Sequence, residues 1–143
     1  PHVIEPAFGI DRIIWHILDH CYTETEKEGE KYSIMSLSTS VSPFDVAILP
    51  LFDKDGMGDV ASEILVRVNS MPGLRGEMDS SKSIGRRYAR IDEIGVPWAI
   101  TVDHETLENG SVTMRRRDDQ KQVRASIDDV VSNLAAGTVS SLF

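Results

Sequence analysis

The sequence predicts an α/β fold in which helices flank a mixed, mostly parallel sheet. Residues 46–49 and 97–102 form two short, largely apolar runs, which is the pattern of strands that are buried on both faces. Segments with the apolar spacing of helices lie between these runs, and strands that are connected through helices lie parallel. Asn109-Gly110, directly before a third strand, predicts a hairpin turn and therefore an antiparallel edge.

The first predicted element is an amphipathic helix over residues 8–21. Its apolar side chains recur at spacings of three and four, which places them along one helical face: Ile10, Ile13, Ile14, Ile17, Leu18 and Cys21. Residues 23–31 follow with four glutamates and a glycine, and we predict a charged, solvated connector there. Pro50 ends the buried strand over 46–49.

The remaining elements follow from the apolar period and from the residues that end helices. We predict a helix over 59–68, a strand over 74–79, a helix over 83–94, and strands over 97–102 and 111–117. Ser126 is a suitable N-cap for a closing helix, because Asp128 and Asp129 lie in its first turn, where the helix dipole favours acids. Gly95 and Gly137 are the predicted ends of the last two helices.

Charge is distributed unevenly along the chain, which carries 15 basic and 23 acidic residues and a formal net charge of −8. Taken as a whole, this acidity opposes a polyphosphate partner. The acids are concentrated in residues 1–63, which hold 12 acids and 4 bases, whereas residues 82–124 hold 9 bases and 7 acids. The acidity of the whole chain therefore does not exclude a polyanionic partner for residues 82–124, whose small positive excess implies modest, salt-sensitive affinity for one.

Composition excludes several classes of protein. Cys21 is the only cysteine, so no disulfide scaffold can form within the chain, and we expect a reducing compartment. No apolar run reaches the roughly 20 residues of a membrane-spanning helix. Because Pro1 leads directly into patterned sequence, we expect a fragment of a longer chain. The sequence contains no serine-centred nucleophile elbow, Walker loop or dinucleotide-binding glycine motif.

The start of the helix over 83–94 is a candidate anion site. It carries four cations in nine residues with no intervening acid: Lys82, Arg86, Arg87 and Arg90. Backbone N–H groups at a helix N-terminus bind anions, and here they would come from Ser81, Ser83, Ile84 and Gly85. The alternative is an exposed, solvated helix face. Pattern alone gives the two interpretations equal weight.

The strand over 111–118 is a second candidate. Val112 and Met114 point to one face of the strand, and Arg115 and Arg117 point to the other. Two planar guanidinium groups on one face suit base edges or phosphates. The alternative is an edge strand that its charges protect from aggregation.

Neither of two histidine and aspartate patterns predicts a metal site. His16 and His20 lie one helical turn apart beside Cys21, but no third ligand follows at a diagnostic spacing, so a structural role is favoured. Residues 53–59 resemble the start of a calcium loop, yet Ile64 occupies the position of the bidentate carboxylate. We predict a loop that leads into a helix there.

Two parts of the sequence resemble class II aminoacyl-tRNA synthetases of the glycyl, eukaryotic and archaeal type. The segment PHVIEPAFGIDRIIWHIL at residues 1–18 resembles motif 3 of the catalytic domain, and residues from about 43 to the end resemble the anticodon-binding domain. Threonyl, prolyl and histidyl enzymes share this architecture, but GRRYAR followed by DEIG is typical of the glycyl family. The strongest matches are Ser83–Asp103, Leu107–Asp118 and Gln122–Val131.

The resemblance implies a division into residues 1–40, a helical remnant of the catalytic domain, and residues 41–143, the anticodon-binding domain. It implies that Arg12 contacts ATP phosphate and that Glu5, Pro6 and Ala7 form the glycine-binding segment. Ala7 departs from the Glu-Pro-Ser pattern of the family, which removes one polar contact to the amino acid. The residues implied for tRNA binding are Arg115 and Arg117, followed by Arg86, Arg87 and Arg90. Glu93 either accepts from a base or pairs with Arg90, and the pair is favoured.

The resemblance implies an enzyme that ligates glycine to tRNA(Gly) with ATP and Mg²⁺. Motifs 1 and 2 are absent from this chain, so we expect it to be inactive alone, to need no cofactor and to supply anticodon recognition. The expected setting is a cytoplasmic homodimer, with a mitochondrial form as the alternative and with no membrane or DNA partner. Two rival hypotheses remain: a noncatalytic protein-association module of the same fold, and a small-anion binder at residues 83–87.

Overall fold

The computed structural model describes residues 2–27, 29–52 and 55–143. An N-terminal helix, α1 (Ile10–Cys21), leads into strands β1 (Tyr22–Lys27) and β2 (Glu30–Met35). The elements that follow are β3 (Val46–Pro50), α2 (Met57–Asn69), β4 (Gly76–Met78), α3 (Ile84–Glu93), β5 (Trp98–Val102), α4 (His104–Asn109), β6 (Ser111–Arg116), β7 (Gln122–Ser126), α5 (Ile127–Ala136) and a terminal 3-10 turn, Val139–Leu142.

The main sheet has five strands in the order β4-β3-β5-β6-β7. Strand β3 pairs parallel with both β4 and β5, while β6 pairs antiparallel with β5 and with β7. The predicted mixed sheet flanked by helices is confirmed, and the parallel pairings lie in the half that the helices α2 and α3 connect. Strand β6 lies between β5 and β7, which rules out the alternative of a charge-protected edge strand for it.

Both faces of the sheet are covered, which explains why its central strands are apolar throughout. On one face, Val46, Ile48, Ile100 and Met114 are fully buried in a core that α2 and α5 complete. On the other face, the alternate positions of β3 and β5 pack with Ile91 of α3 and with Val96; these positions are Ala47, Leu49 and Ala99. Removal of both faces from water is what stabilises strands of this composition.

The predicted solvated connector over 23–31 is wrong, because β1 and β2 form an antiparallel ribbon there. The register pairs Thr25 with Tyr32 and Thr23 with Ile34 on one face of the ribbon. Tyr32 and Ile34 are half-buried, while every residue of β1 is exposed. Glu24 and Glu26 occupy exposed positions on one face of the ribbon, so they mark the solvent-facing side of a strand and not a loop.

The predicted Asn-Gly hairpin turn is also wrong, although the antiparallel pairing of β5 with β6 is confirmed. Asp103 caps α4 with a reciprocal pair of hydrogen bonds to Thr106, and Gly110 ends the helix at φ +69°. An Asn-Gly pair suits a hairpin turn and a left-handed helix end equally well, because both need a positive φ. The closing helix α5 follows the prediction, with Ser126 as N-cap and Gly137 as C-cap.

Helix α1 forms as predicted, but none of its residues is buried. Its apolar stripe is open to solvent, and Trp15 is 69% exposed. Within the described ranges, no helix combines the length and the apolar character that crossing a membrane requires.

Candidate nucleic-acid interface

The loops that follow β3, β4 and β5 meet at one edge of the sheet, because these three strands are parallel. We call this edge the carboxyl edge and define it by residues 51–52, 79–86 and 103–104, which include the start of α3. Ligands of open α/β sheets bind outside the carboxyl ends of the strands, where helices on opposite faces leave a crevice. Helices α2 and α3 leave this edge on opposite faces of the sheet.

Two exposed rings lie side by side at the carboxyl edge. The ring centroids of Phe52 and His104 are 6.1 Å apart, and their planes are inclined by 45°. Phe52 is 54% exposed, which is unusual for an aromatic residue that directly follows a buried strand. No local sequence pattern predicts this pair, since Phe52 and His104 become neighbours only through the parallel pairing of β3 with β5.

Arg87 holds the carboxyl edge together from inside. Its side chain is 2% exposed, and its two terminal nitrogens donate to carbonyl oxygens on the loops after β3 and β4. The four accepting oxygens, at 2.5–3.3 Å, belong to Pro50, Leu51, Asp79 and Lys82. Arg87 was predicted to contact tRNA, but its guanidinium is engaged within the protein.

Arg90 pairs with Asp79 and also donates to the Ser81 hydroxyl at 2.9 Å. The expected pair between Arg90 and Glu93 is therefore wrong, and Glu93 is exposed. Burial raises the pKa of Asp79, but hydrogen bonds from Ser81 and the charges of Arg90 and Arg87 outweigh it, so the pKa of this carboxyl lies below its usual range. The Asp79 carboxylate therefore stays ionised and holds Arg90 against the loop.

The predicted start of α3 is confirmed, with Ser83 at the N-cap and no side-chain hydrogen bond capping the first turn. Of the expected anion-binding groups, the Ser81 amide already donates to Asp79 at 2.8 Å. Gly85 and the cations Lys82 and Arg86 are exposed at the helix start. Among the described residues, Arg86 makes no hydrogen bond or ion pair through its side chain.

Arg115 lies under α3, with its side chain 4% exposed. Its guanidinium donates both terminal nitrogens to Asp92, at 2.9 and 2.8 Å, and lies 4.7 Å from the centre of the Tyr88 ring. Tyr32 of β2 donates to the same carboxylate at 2.5 Å. Burial, followed by this hydrogen bond, raises the pKa of the Tyr32 hydroxyl far above its usual value, so the hydroxyl stays protonated.

Arg117 lies at the opposite edge of the sheet from the carboxyl edge. Its backbone N–H donates to Pro97, which precedes β5, and its side chain donates to the Gly95 carbonyl and the Asp118 carboxylate, each at 2.8 Å. The predicted alternation of β6 is confirmed, with Val112 and Met114 facing α2 and α5. The arginines that face away from them are packed against protein partners.

The residues implied for ATP and glycine lie apart from the sheet, at the start of the chain. Glu5, Pro6 and Ala7 precede α1 in extended backbone and are exposed. Arg12 lies in the first turns of α1, beside an open groove of about 660 Å³. In α1, His20 Nδ1 makes a 2.8 Å hydrogen bond with the His16 carbonyl. No group of three possible metal ligands occurs among residues 2–27, 29–52 and 55–143.

The structure gives only part of the segment that resembles a calcium loop, because Asp53 lies outside the described residues. Asp55 adopts a left-handed backbone with φ +59°, and Gly56 forms the N-cap of α2. The segment therefore leads into a helix, as predicted.

Comparison with known proteins points to one family. Residues 45–136 match the model of an anticodon binding domain. The glycine–tRNA ligase of Methanothrix thermoacetophila is 47% identical over 142 residues, which are 97% of this chain and 24% of that protein. The glycine–tRNA ligase of Methanothermobacter thermautotrophicus is 52% identical over 134 residues, covering 94% of this chain and 23% of that protein.

The fold recurs in a solved structure. Prolyl-tRNA synthetase from Cryptosporidium parvum, complexed with L-proline and AMP, superposes with a TM-score of 0.64 at 19% identity, covering 76% of this chain and 23% of that one. This similarity supports the fold alone. The chain spans about a quarter of the length of the curated relatives that it matches. Because residues 45–136, well over half of the sequence, match the family model, this chain belongs to the anticodon-binding domain family.

Proposed function

We propose that this chain is the anticodon-binding part of a glycine–tRNA ligase and that its carboxyl edge contacts the anticodon loop of tRNA(Gly). The observation that carries the proposal is the exposed ring pair, Phe52 and His104, at the end of the sheet where α3 begins with the exposed cations Lys82 and Arg86. Single-stranded RNA loops are recognised by splayed bases that stack on aromatic side chains while cations contact the backbone.

The proposal divides the five arginines that were expected to contact tRNA into two groups. Arg86 is exposed and contacts RNA directly, together with Lys82. Arg87, Arg115 and Arg117 are buried and keep the surface in shape through their protein partners. Arg90 is intermediate, because its pair with Asp79 leaves part of its side chain open.

We extend the proposal to the whole enzyme, which ligates glycine to tRNA(Gly) with ATP and Mg²⁺ as a cytoplasmic homodimer. Residues 1–40 belong to its catalytic domain, where Arg12 contacts ATP phosphate and Glu5, Pro6 and Ala7 line the glycine site. The charge of Arg12 and the open groove beside it fit a phosphate, whereas the described residues hold no cluster of acids for Mg²⁺. The remaining ligands for ATP and metal come from outside this chain, which is inactive alone.

Binding of tRNA tests the proposal. Fluorescence anisotropy measures the affinity of the chain for tRNA with a glycine anticodon and for the same tRNA with altered second and third anticodon bases. We expect weaker binding of the altered tRNA, by a factor of about 10 for each base contact that is lost. Equal affinities would contradict anticodon recognition.

A second candidate function is a noncatalytic protein-association module. The exposed apolar stripe of α1, which includes Ile10 and Ile14, favours it because such faces mark interaction sites. Oligomerisation that depends on concentration, combined with no affinity for tRNA, would support this alternative. Analytical ultracentrifugation beside the anisotropy measurement separates the two functions.

A further inference from the structure

A polar cleft lies between the ribbon β1–β2, helix α3 and the turn that joins β6 to β7. Its volume is about 400 Å³. The lining is polar and aromatic rather than aliphatic, and includes Lys27, Tyr32, Arg86, Tyr88, Gln120 and Gln122. We call it the ribbon cleft. The cleft forms because the ribbon packs beside α3, and the sequence-based prediction of a solvated connector over residues 23–31 therefore gave no sign of it.

The ribbon cleft has a rigid floor. Asp92 and Arg115 form a buried bidentate pair at 2.8 and 2.9 Å, and Tyr32 donates its hydroxyl to the same carboxylate. The hydroxyl of Tyr88 lies 2.5 Å from that of Thr101, which fixes the second ring. Because Asp92 neutralises Arg115, the floor contributes almost no net charge. The charge that a ligand meets comes from the walls.

The walls carry two cations without an acidic partner among the described residues. Lys27 donates to the neutral amide of Gln120 at 2.8 Å, and its ammonium lies 5.2 Å from the centre of the Tyr32 ring. The side chain of Arg86 makes no hydrogen bond or ion pair within the part of the chain that the structure describes. Lys31 is already paired with Glu24 at 2.9 Å. Among the residues that the structure describes, Glu30, opposite Lys27 in the ribbon register, is the one acid that lines the cleft.

We propose that the ribbon cleft binds a backbone phosphate of the same RNA whose loop contacts the carboxyl edge. This inference rests on the proposed function. Arg86 connects the two surfaces, since it lies in the first turn of α3 at the carboxyl edge and also lines the cleft. The Lys27 ammonium and the Arg86 guanidinium line the same cleft and supply positive charge for a compact anion, and the amide of Gln122 supplies a neutral donor. Contacts of this kind fix the position of an RNA strand without regard to its sequence.

The test replaces each cation by a neutral side chain in the full chain. Lys27→Gln and Arg86→Gln are compared with Arg67→Gln, a control on α2, which packs on the opposite face of the sheet. Anisotropy titrations use both tRNAs, with glycine and altered anticodons, from about 50 to about 200 mM salt. We expect Lys27→Gln to weaken both tRNAs equally, by about three- to tenfold at low salt, and to reduce the salt slope by about 1. We expect at least the same loss for Arg86→Gln and no change for Arg67→Gln.

The outcomes separate this inference from the proposed function. If Lys27→Gln keeps the wild-type affinity and salt slope while the anticodon still matters, the ribbon cleft is not an RNA site and the carboxyl edge remains one. If Lys27→Gln weakens binding of two tRNAs that the wild-type chain does not distinguish, the cleft binds RNA and anticodon recognition is refuted. Circular dichroism melting verifies the fold of each variant, and all three side chains replaced are exposed.

Discussion

The two edges of the main sheet use charged and aromatic residues in opposite ways. At the edge where β5 begins, Arg117 is buried and donates to the Gly95 carbonyl. Two residues earlier in the chain, Arg115 is paired with Asp92. At the carboxyl edge, Phe52, Lys82 and Arg86 are exposed. The comparison teaches that the arginines of an interior strand serve the structure, while Lys82 and Arg86, which are exposed where α3 begins, remain available to a ligand.

The largest effect should come from breaking the buried pair. Arg115→Ala leaves the Asp92 carboxylate, which is fully buried, without a cation, and we expect a loss of about 3–5 kcal/mol in the free energy of unfolding. Urea unfolding followed by circular dichroism measures it. Arg86→Ala is the matched control and should change stability by less than about 0.5 kcal/mol. A stable Arg115→Ala protein with impaired tRNA binding would contradict the structural role of Arg115.

The second-largest effect concerns the contact between Gly95, which follows α3, and the chain at the end of β2. Gly95 has φ +87°, and a Cβ there would lie 2.8 Å from Leu37 Cδ1 and 3.0 Å from the Met35 carbonyl oxygen. We expect Gly95→Ala to destabilise the protein by about 2–3 kcal/mol, from backbone strain and from the contact with the segment after β2.

Gly73→Ala is the control for Gly95→Ala, since Gly73 has φ +83° but nothing within 4 Å of its virtual Cβ. It isolates the backbone strain, for which we expect about 1 kcal/mol. Equal losses in the two variants would show that Gly95 is needed for its conformation alone and not for the approach of Leu37.

A third prediction concerns the open edge. Phe52→Ala should leave stability nearly unchanged, because the ring is exposed, and should weaken tRNA binding by about 1–3 kcal/mol if a base stacks on it. Trp15→Ala removes an exposed aromatic ring from α1 and serves as the control. If both variants bind tRNA as well as the wild type, the carboxyl edge is not the stacking surface.

The smallest effect should come from the ion pair of Asp103 with Arg124, which is half-buried where the pair of Asp92 with Arg115 is buried. Hydrogen bonds from Arg124 lower the pKa of Asp103 to about 2, against burial, which raises it. A carboxyl with a depressed pKa in the folded state stabilises it above the unfolded pKa, near 3.9, and loses this contribution as the pH falls toward 2.

We therefore expect Asp103→Asn to flatten the decline of stability between about pH 4 and about pH 2, by no more than about 1 kcal/mol. Urea unfolding at several pH values in this range measures the decline. An unchanged decline in the Asn variant would assign it to other carboxyl groups.

Sequence patterns were sufficient for the sheet and most of its helices, because burial of β3 and β5 on both faces leaves an unmistakable apolar run. They failed for the ribbon, because every residue of β1 is exposed and no residue of β2 is more than half-buried, so neither strand carries an apolar run. The alternation along β6 correctly placed Arg115 and Arg117 on one face. It did not reveal their burial, because the partner of Arg115, Asp92, lies 23 residues away on another element.

The candidate site was predicted only in part. The start of α3 was located by its serine and its cations, since capping and charge are local signals. Phe52 and His104 were missed because they are 52 residues apart and meet only where β3 pairs with β5. Pairing of strands is a property of the whole fold, so no window of sequence around either ring contains it.

The contacts of Arg87 have a consequence for how this domain family can change its ligand. All four acceptors are main-chain carbonyl oxygens, at Pro50, Leu51, Asp79 and Lys82, and every amino acid supplies that group. Side chains on the two loops can therefore be exchanged while the loops keep their spacing. The contacts of Arg87 separate the shape of the carboxyl edge from its chemistry, which makes residues 52 and 82 natural positions for altering what the edge binds.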